Sequence, residues 1–255
     1  MSIQAVFFDM GGTIETFGYT RALRLAATPA IRGRLAQAGI DLGLDDEQLL
    51  QVISSGLDRY KRWSLQTLEE LPPARVWGEY VLAGLAVDPA RLAPAAEELA
   101  FLVETRFYCR AMRPEMPAVL AALRAMGLKI GLISNVNSRG QVPTNLALYG
   151  IRDYFDPVVL SSEYGRRKPD PSIFHHAARL AQTPASRCAY VGDRVLRDVL
   201  GARRAGYGLV VQIRHDFQHG EDDAGAEPDA VIEQMTGLVD LLKAEQERCA
   251  SPSPR

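Results

Sequence analysis

Cysteine and lysine are scarce in this 255-residue chain, and both shortages carry information. The three cysteines, Cys109, Cys188 and Cys249, are scattered and odd in number, which argues against a disulfide framework or a zinc site and fits a reducing compartment. No apolar run approaches membrane-spanning length, and the N-terminus begins a strand-like stretch rather than a charged region followed by a signal-type core. Excess charge is lacking too: 29 basic against 31 acidic residues leave a formal net charge of -2. Neither nucleic acid nor an anionic membrane is strongly attracted by such a balance. The expectation is a soluble, cytoplasmic protein, monomer or homodimer, whose partner is a small molecule.

What is present begins with IQAVFFDMGGT, residues 3–13. Strand-forming apolar residues end in Asp9, and Gly11, Gly12 and Thr13 follow at once, so a buried strand delivers a carboxylate to a loop whose backbone can approach a ligand. In an open parallel sheet, ligands bind at the carboxyl ends of the strands. Ser134 ends a second apolar run, LKIGLIS. Lys168 stands in RRKPDPSIF, and Asp193 and Asp198 follow a third run in AYVGDRVLRD.

From about residue 19 to 107 the pattern turns helical, with Asp45, Pro73 and Pro89 near helix starts, where an N-cap or an early proline is tolerated. Strand and helix then alternate to about residue 247. The fold class this predicts is α/β: a Rossmann-like parallel sheet with helices on both faces, plus a small all-helical domain. The boundaries follow as 1–16 and 108–247 for the core, 17–107 for the helical part, and a disordered tail over 248–255. The polar stretch RHDFQHGEDDAGAEPD, with His215, His219, Asp222 and Asp223, reads as an exposed loop rather than a metal site.

An aspartate at one strand end, a hydroxyl at another, a lysine in KPDPSIF and a late acidic pair in VGDRVLRDVLGARRAG resemble, in that order, the haloacid dehalogenase (HAD) superfamily of hydrolases, in its phosphatase-like branch. Only 4 of 255 positions are lysine, so its fall in KPDP is unlike chance. The resemblance covers nearly the whole chain. It implies that Asp9 is a nucleophile forming a covalent aspartyl intermediate. It also implies a bound Mg2+, held by Asp9, the Gly11 carbonyl and Asp193, with Asp198 holding a coordinated water or steadying the site. Lys168 would relieve repulsion between nucleophile and phosphate. Ser134 and the amide of Asn135 would bind the transferring group, and Thr13 would order the loop beside the substrate. The helical insertion would close over the site as a cap and set substrate choice.

One departure matters. Family phosphatases carry a second aspartate in DxDGT, whereas this chain reads DMGGT, with Gly11 in its place. A positioned general acid/base contributes about 10²–10⁴ in rate. The leading expectation is Mg2+-dependent phosphoryl transfer from a small phosphorylated metabolite to water, with a weakened or relocated acid. Two alternatives stay open: a catalytically feeble protein that binds a ligand or partner, and a hydrolase of C–X or C–P bonds. Dehalogenases carry tyrosine at this position, and phosphonoacetaldehyde hydrolases carry alanine with a Schiff-base lysine in the cap, to which Lys61 is the comparable residue. Retention of Asp193 and Asp198 weighs against a dehalogenase. Glu15 is either the substitute acid or a polar residue of the hinge.

Overall fold

The computed structural model describes residues 2–214 and 225–250. His215, His219, Asp222 and Asp223 of the expected loop lie outside the described residues. The chain enters through β1 (Ala5–Phe8) and β2 (Glu15–Gly18), then runs through α1 (Arg21–Gln37), α2 (Asp46–Thr67), α3 (Pro73–Arg75), α4 (Pro89–Leu92) and α5 (Ala96–Arg106). It returns through β3 (Cys109–Met112), α6 (Met116–Ala125), β4 (Lys129–Ser134), α7 (Gln141–Leu148), β5 (Val158–Leu160), α8 (Ser161–Tyr164) and α9 (Pro171–Leu180). The last elements are β6 (Cys188–Gly192), α10 (Leu200–Arg204), β7 (Leu209–Ile213), β8 (Ala230–Ile232) and α11 (Thr236–Ala250).

Six strands form one parallel sheet in the order β5-β4-β1-β6-β7-β8, with β1 in the middle. Strands β1, β6 and β7 are buried at every position, which is why they are written as unbroken apolar runs rather than alternating ones. Successive side chains still point to opposite faces. Val6 and Phe8 join Leu120, Leu123 and Leu238 on one face; Ala5 and Phe7 join Phe174, Tyr190 and Tyr207 on the other. Each fully buried side chain of this size contributes roughly 1.5–3 kcal/mol relative to exposure. The α/β fold with helices on both faces is therefore as the sequence predicts.

Between β2 and β3 the helices α1 to α5 pack on a separate apolar cluster that includes Ile31, Leu35, Ile53, Trp77 and Leu99. Asp45 caps α2 in a reciprocal capping box with Gln48, and Pro73 and Pro89 open α3 and α4. The segment after Asp9 differs from expectation. β2 and β3 form a ribbon of their own, paired antiparallel with Glu15 opposite Met112 and Gly18 opposite Cys109, and β2 runs across the expected boundary at 16/17. The C-terminus differs as well. Helix α11 continues through Ala250, so residues 248–250 are helical rather than part of a disordered tail, and Arg248 pairs with Glu245 one turn back.

Candidate active site

Strand β1 is flanked by β4 and β6, with Phe8 in register with Leu132 and Val191. Asp9, Ser134 and Asp193 are thereby set at adjacent carboxyl ends. The Asp9 amide donates to the Val191 carbonyl at 2.9 Å, which extends the ladder one residue and fixes where the carboxylate emerges. The loop then turns back sharply. Gly12 has φ of +93°, and a side chain on it would enter the Asp193 carboxylate, so glycine is required twice over. Arg113, which sequence reasoning missed, donates from Nε to the Thr13 carbonyl at 2.9 Å and from Nη2 to the Gly12 carbonyl at 3.1 Å. Thr13 itself is fully buried, and its hydroxyl finds no hydrogen-bond partner among the described residues.

Lys168 is the hub. Its ammonium lies 2.6 Å from Asp9 Oδ1 and 2.7 Å from Asp198 Oδ1, and it donates also to the Tyr190 hydroxyl at 2.8 Å and the Ile133 carbonyl at 3.0 Å. Tyr190 in turn donates to Asp198 at 2.9 Å, and the Arg194 amide donates to the second Asp198 oxygen at 3.1 Å. The side chain of Asn135 grips the lysine backbone, accepting from its N–H at 2.9 Å and donating to its C=O at 3.0 Å. The sequence suggested a backbone role for Asn135; the structure adds that its side chain positions Lys168.

Asp193 and Asp198 are fully buried, unlike the surface acids that a helix start would carry. One carboxylate oxygen from each of Asp9, Asp193 and Asp198 lies within 4.8 Å of the others, a donor set of hard oxygens suited to a small divalent cation. Burial raises the Asp9 carboxyl to about 6, against the pull of Lys168, with Asp198 and Asp193 adding to the rise. Burial also works against the charge on Asp198, but Lys168 and Arg197 outweigh it and hold that carboxyl below the ordinary range. Of two carboxylates on one ammonium, Asp9 is the one that takes a proton first.

A cavity of about 380 Å³ opens between these strand ends and the helices, lined by Asp9, Gly11, Ser134, Asn135 and Lys168 from the core. Seven of its lining residues are cationic (Arg24, Lys61, Arg110, Arg167, Lys168, Arg194 and Arg197) and three are acidic (Asp9, Asp58 and Glu104). Such a lining attracts anions, which the nearly neutral whole chain does not reveal. Lys61 is exposed and reaches this cavity from α2. Glu15 is a correction to the idea of a substitute acid. It is fully buried, ion-paired with Arg110, and accepts from Asn145 Nδ2 at 3.0 Å and from the Tyr149 hydroxyl at 2.9 Å. Its oxygens are committed to α7 and Arg110.

Comparison with known proteins agrees with this geometry. A family model described as haloacid dehalogenase-like hydrolase matches residues 3–206. A glyceraldehyde 3-phosphate phosphatase of Methanopyrus kandleri is 30% identical over 245 residues, covering 94% of this chain and 97% of its own. A pyrimidine 5'-nucleotidase of Escherichia coli is 34% identical over 242 residues, covering 93% and 96%. Among solved structures, a HAD phosphatase from Thermococcus onnurineus superposes with a TM-score of 0.63 at 23% identity, covering 94% of this chain and 98% of its own. A 2-haloacid dehalogenase from Pseudomonas syringae gives 0.64 at 24%, covering 97% and 100%, so the fold alone serves both chemistries. By its family match and its full-length relatives, the chain belongs to the haloacid dehalogenase-like hydrolases.

Proposed function

We propose that the protein is a Mg2+-dependent phosphohydrolase of small phosphorylated metabolites, working in the cytoplasm, with Asp9 as nucleophile. The observation that carries this reading is the convergence of Asp9, Asp193, Asp198 and Lys168 at one buried point beneath a cationic cavity. Full-length relatives named as phosphatases support it.

Asp9, Asp193 and the Gly11 carbonyl would hold the cation, with Asp198 behind them. When bound, the cation neutralises phosphate charge facing the nucleophile. The remaining work belongs to the chain. Lys168 keeps Asp9 oriented, and its buried positive charge relieves repulsion between that carboxylate and the incoming anion. Ser134 and the Asn135 amide stand at the neighbouring strand end to bind phosphoryl oxygens. Asp9 attacks phosphorus, and water then cleaves the aspartyl phosphate. The helices between β2 and β3 act as a cap over the reaction, and their inward residues select the rest of the substrate.

Hydrolysis of para-nitrophenyl phosphate and acetyl phosphate, with and without Mg2+, tests this directly. Metal-dependent turnover that vanishes in Asp9→Asn is the expected result. Folded wild-type protein inert toward both substrates would move the weight to binding without turnover, the reading that Gly11 favours. Release of halide from a 2-haloacid, or a borohydride-trapped imine on Lys61 with an aldehyde substrate, would instead point to carbon-centred chemistry.

A further inference from the structure

Resting on the phosphohydrolase reading, we propose that Arg110 stands in for the missing acid by stabilising the departing oxygen as an anion. The substrates are then phosphates whose leaving groups depart without a proton, acyl phosphates first among them. The observation is steric. A Cβ built on Gly11 would lie 3.3 Å from Arg110 Nη1 and 3.6 Å from the Phe17 ring. The volume into which a side chain at position 11 would project is filled by a guanidinium.

That guanidinium is held in place. Arg110 is in register opposite Phe17 on the β2–β3 ribbon, and its Nε donates to the Glu104 carbonyl at 2.9 Å. Nη2 donates to Glu104 Oε2 at 3.1 Å, and Nη1 pairs with Glu15, itself anchored by Asn145 and Tyr149. Among the described residues three of the five N–H bonds are committed, and one on each terminal nitrogen is left. The side chain is 14% exposed and lines the same cavity as Asp9, Ser134 and Lys168. An arginine in a protein does not lose its proton, so it cannot act as a general acid. What it supplies is a fixed charge and N–H donors aimed where negative charge develops, in a site largely shielded from water.

The chemistry balances without a proton donor. An Asp9 oxygen bonds to phosphorus while the bond from phosphorus to the leaving oxygen breaks, and the electron pair departs on that oxygen as a carboxylate. Water then attacks phosphorus, the bond to Asp9 breaks to restore its carboxylate, and both water protons leave on the released dihydrogen phosphate. An alkoxide leaving group would need the acid that Gly11 removes.

The test is a leaving-group series with Mg2+-loaded enzyme: acetyl phosphate, para-nitrophenyl phosphate, phenyl phosphate and glycerol phosphate. In the wild type, kcat/KM is expected to be about 10²–10⁴ higher for the first two than for glycerol phosphate, the range a positioned acid contributes. Arg110→Gln is expected to lower acetyl phosphate turnover by about 10²–10³, as loss of an oxyanion donor does. Gly11→Asp/Arg110→Gln is expected to exceed Gly11→Asp on glycerol phosphate by about 10-fold or more, because a carboxylate beside Arg110 is held ionised and cannot donate. A flat wild-type series overturns the proposal, and needs no variant to fold. So does Arg110→Gln that lowers every substrate by one common factor, or alkyl phosphate turnover abolished by Glu104→Gln, which would place a working acid on the neighbouring helix. Metal-dependent, Asp9-dependent turnover with a flat series sinks Arg110 alone. Absence of all turnover sinks the phosphohydrolase reading and this one together.

Discussion

Asp9 and Asp198 share one ammonium: Lys168 Nζ is 2.6 Å from the first and 2.7 Å from the second, and all three side chains are buried. Removing the shared cation leaves two carboxylates in a dry site. Lys168→Met is therefore expected to cost about 3–5 kcal/mol at pH 7.5, the range for breaking a buried pair. The cost should shrink at pH 5. The folded Asp9 carboxyl lies at about 6, above its unfolded value, so its stabilising contribution is present in acid and is lost as pH rises through about 6. Without Lys168 that folded value climbs and the loss at neutral pH grows. Urea unfolding at the two pH values checks this, and an equal cost at both would remove Asp9 from the explanation.

On the proposed function, in which ionised Asp9 is both cation ligand and nucleophile, proton and cation compete for the same carboxylate. With limiting Mg2+, acetyl phosphate turnover is expected to fall as pH drops through about 6, where the metal-free carboxyl takes its proton. Raising Mg2+ should move the inflection to lower pH, since the cation favours the ionised form. An inflection that ignores Mg2+ would mean that the titrating group is not a ligand.

Much of this site is legible in the sequence because its members end strands or follow them within short motifs. Asp9, Ser134 and Asp193 each sit where an apolar run stops, and the resemblance of KPDPSIF to the family's motif, strengthened by the scarcity of lysine, marks Lys168. Arg110 carries no such mark. Its partner Glu15 is 95 residues away, and the ribbon that brings them together consists of two four-residue strands, too short to show periodicity. Tyr190 reads as one more apolar strand residue until the fold sets its hydroxyl between Lys168 and Asp198. The N-cap and proline signals in the helical part were local, so they were readable; the cross-chain contacts of its inward residues were not.

Adjacent glycines in DMGGT should answer differently to alanine. Gly12→Ala forces a Cβ into the Asp193 carboxylate at a positive φ, and is expected to cost about 1–3 kcal/mol while misplacing the loop beside Asp9. Gly11→Ala meets the Arg110 guanidinium at 3.3 Å and the Phe17 ring at 3.6 Å, side-chain contacts that a shift of a few tenths of an ångström relieves without breaking Arg110's hydrogen bonds, and should unfold within about 0.5 kcal/mol of wild type. Thermal unfolding of the two single variants separates them. Equal destabilisation would mean that Arg110 cannot yield at its tip.

Glu70 ties the helical part to the core at the residue beside Lys168. It accepts from the Tyr60 hydroxyl and, at 3.2 Å, from Asn137 Nδ2 on one oxygen; Arg167 and, at 2.7 Å, the Ser161 hydroxyl occupy the other. Backbone bonds run alongside, from the Glu70 amide to Gly165 at 3.1 Å and from the Arg167 amide to Leu68 at 2.9 Å. A carboxylate with four donors from both parts of the chain acts as a clasp, and Arg167 hands its position directly to Lys168. Glu70→Gln keeps the shape but presents an N–H₂ where only acceptors are wanted. The expected cost is about 1–3 kcal/mol, the penalty for a buried polar group left mispaired. Faster hydrogen exchange should follow, confined to residues 67–72 and 161–168, because local opening tracks the contacts that close a segment. Turnover should fall in kcat rather than rise in KM, since Lys168 contacts Asp9, the proposed nucleophile, directly. A rise in KM at constant kcat would instead place Glu70 in substrate binding, through Arg167 at the cavity wall.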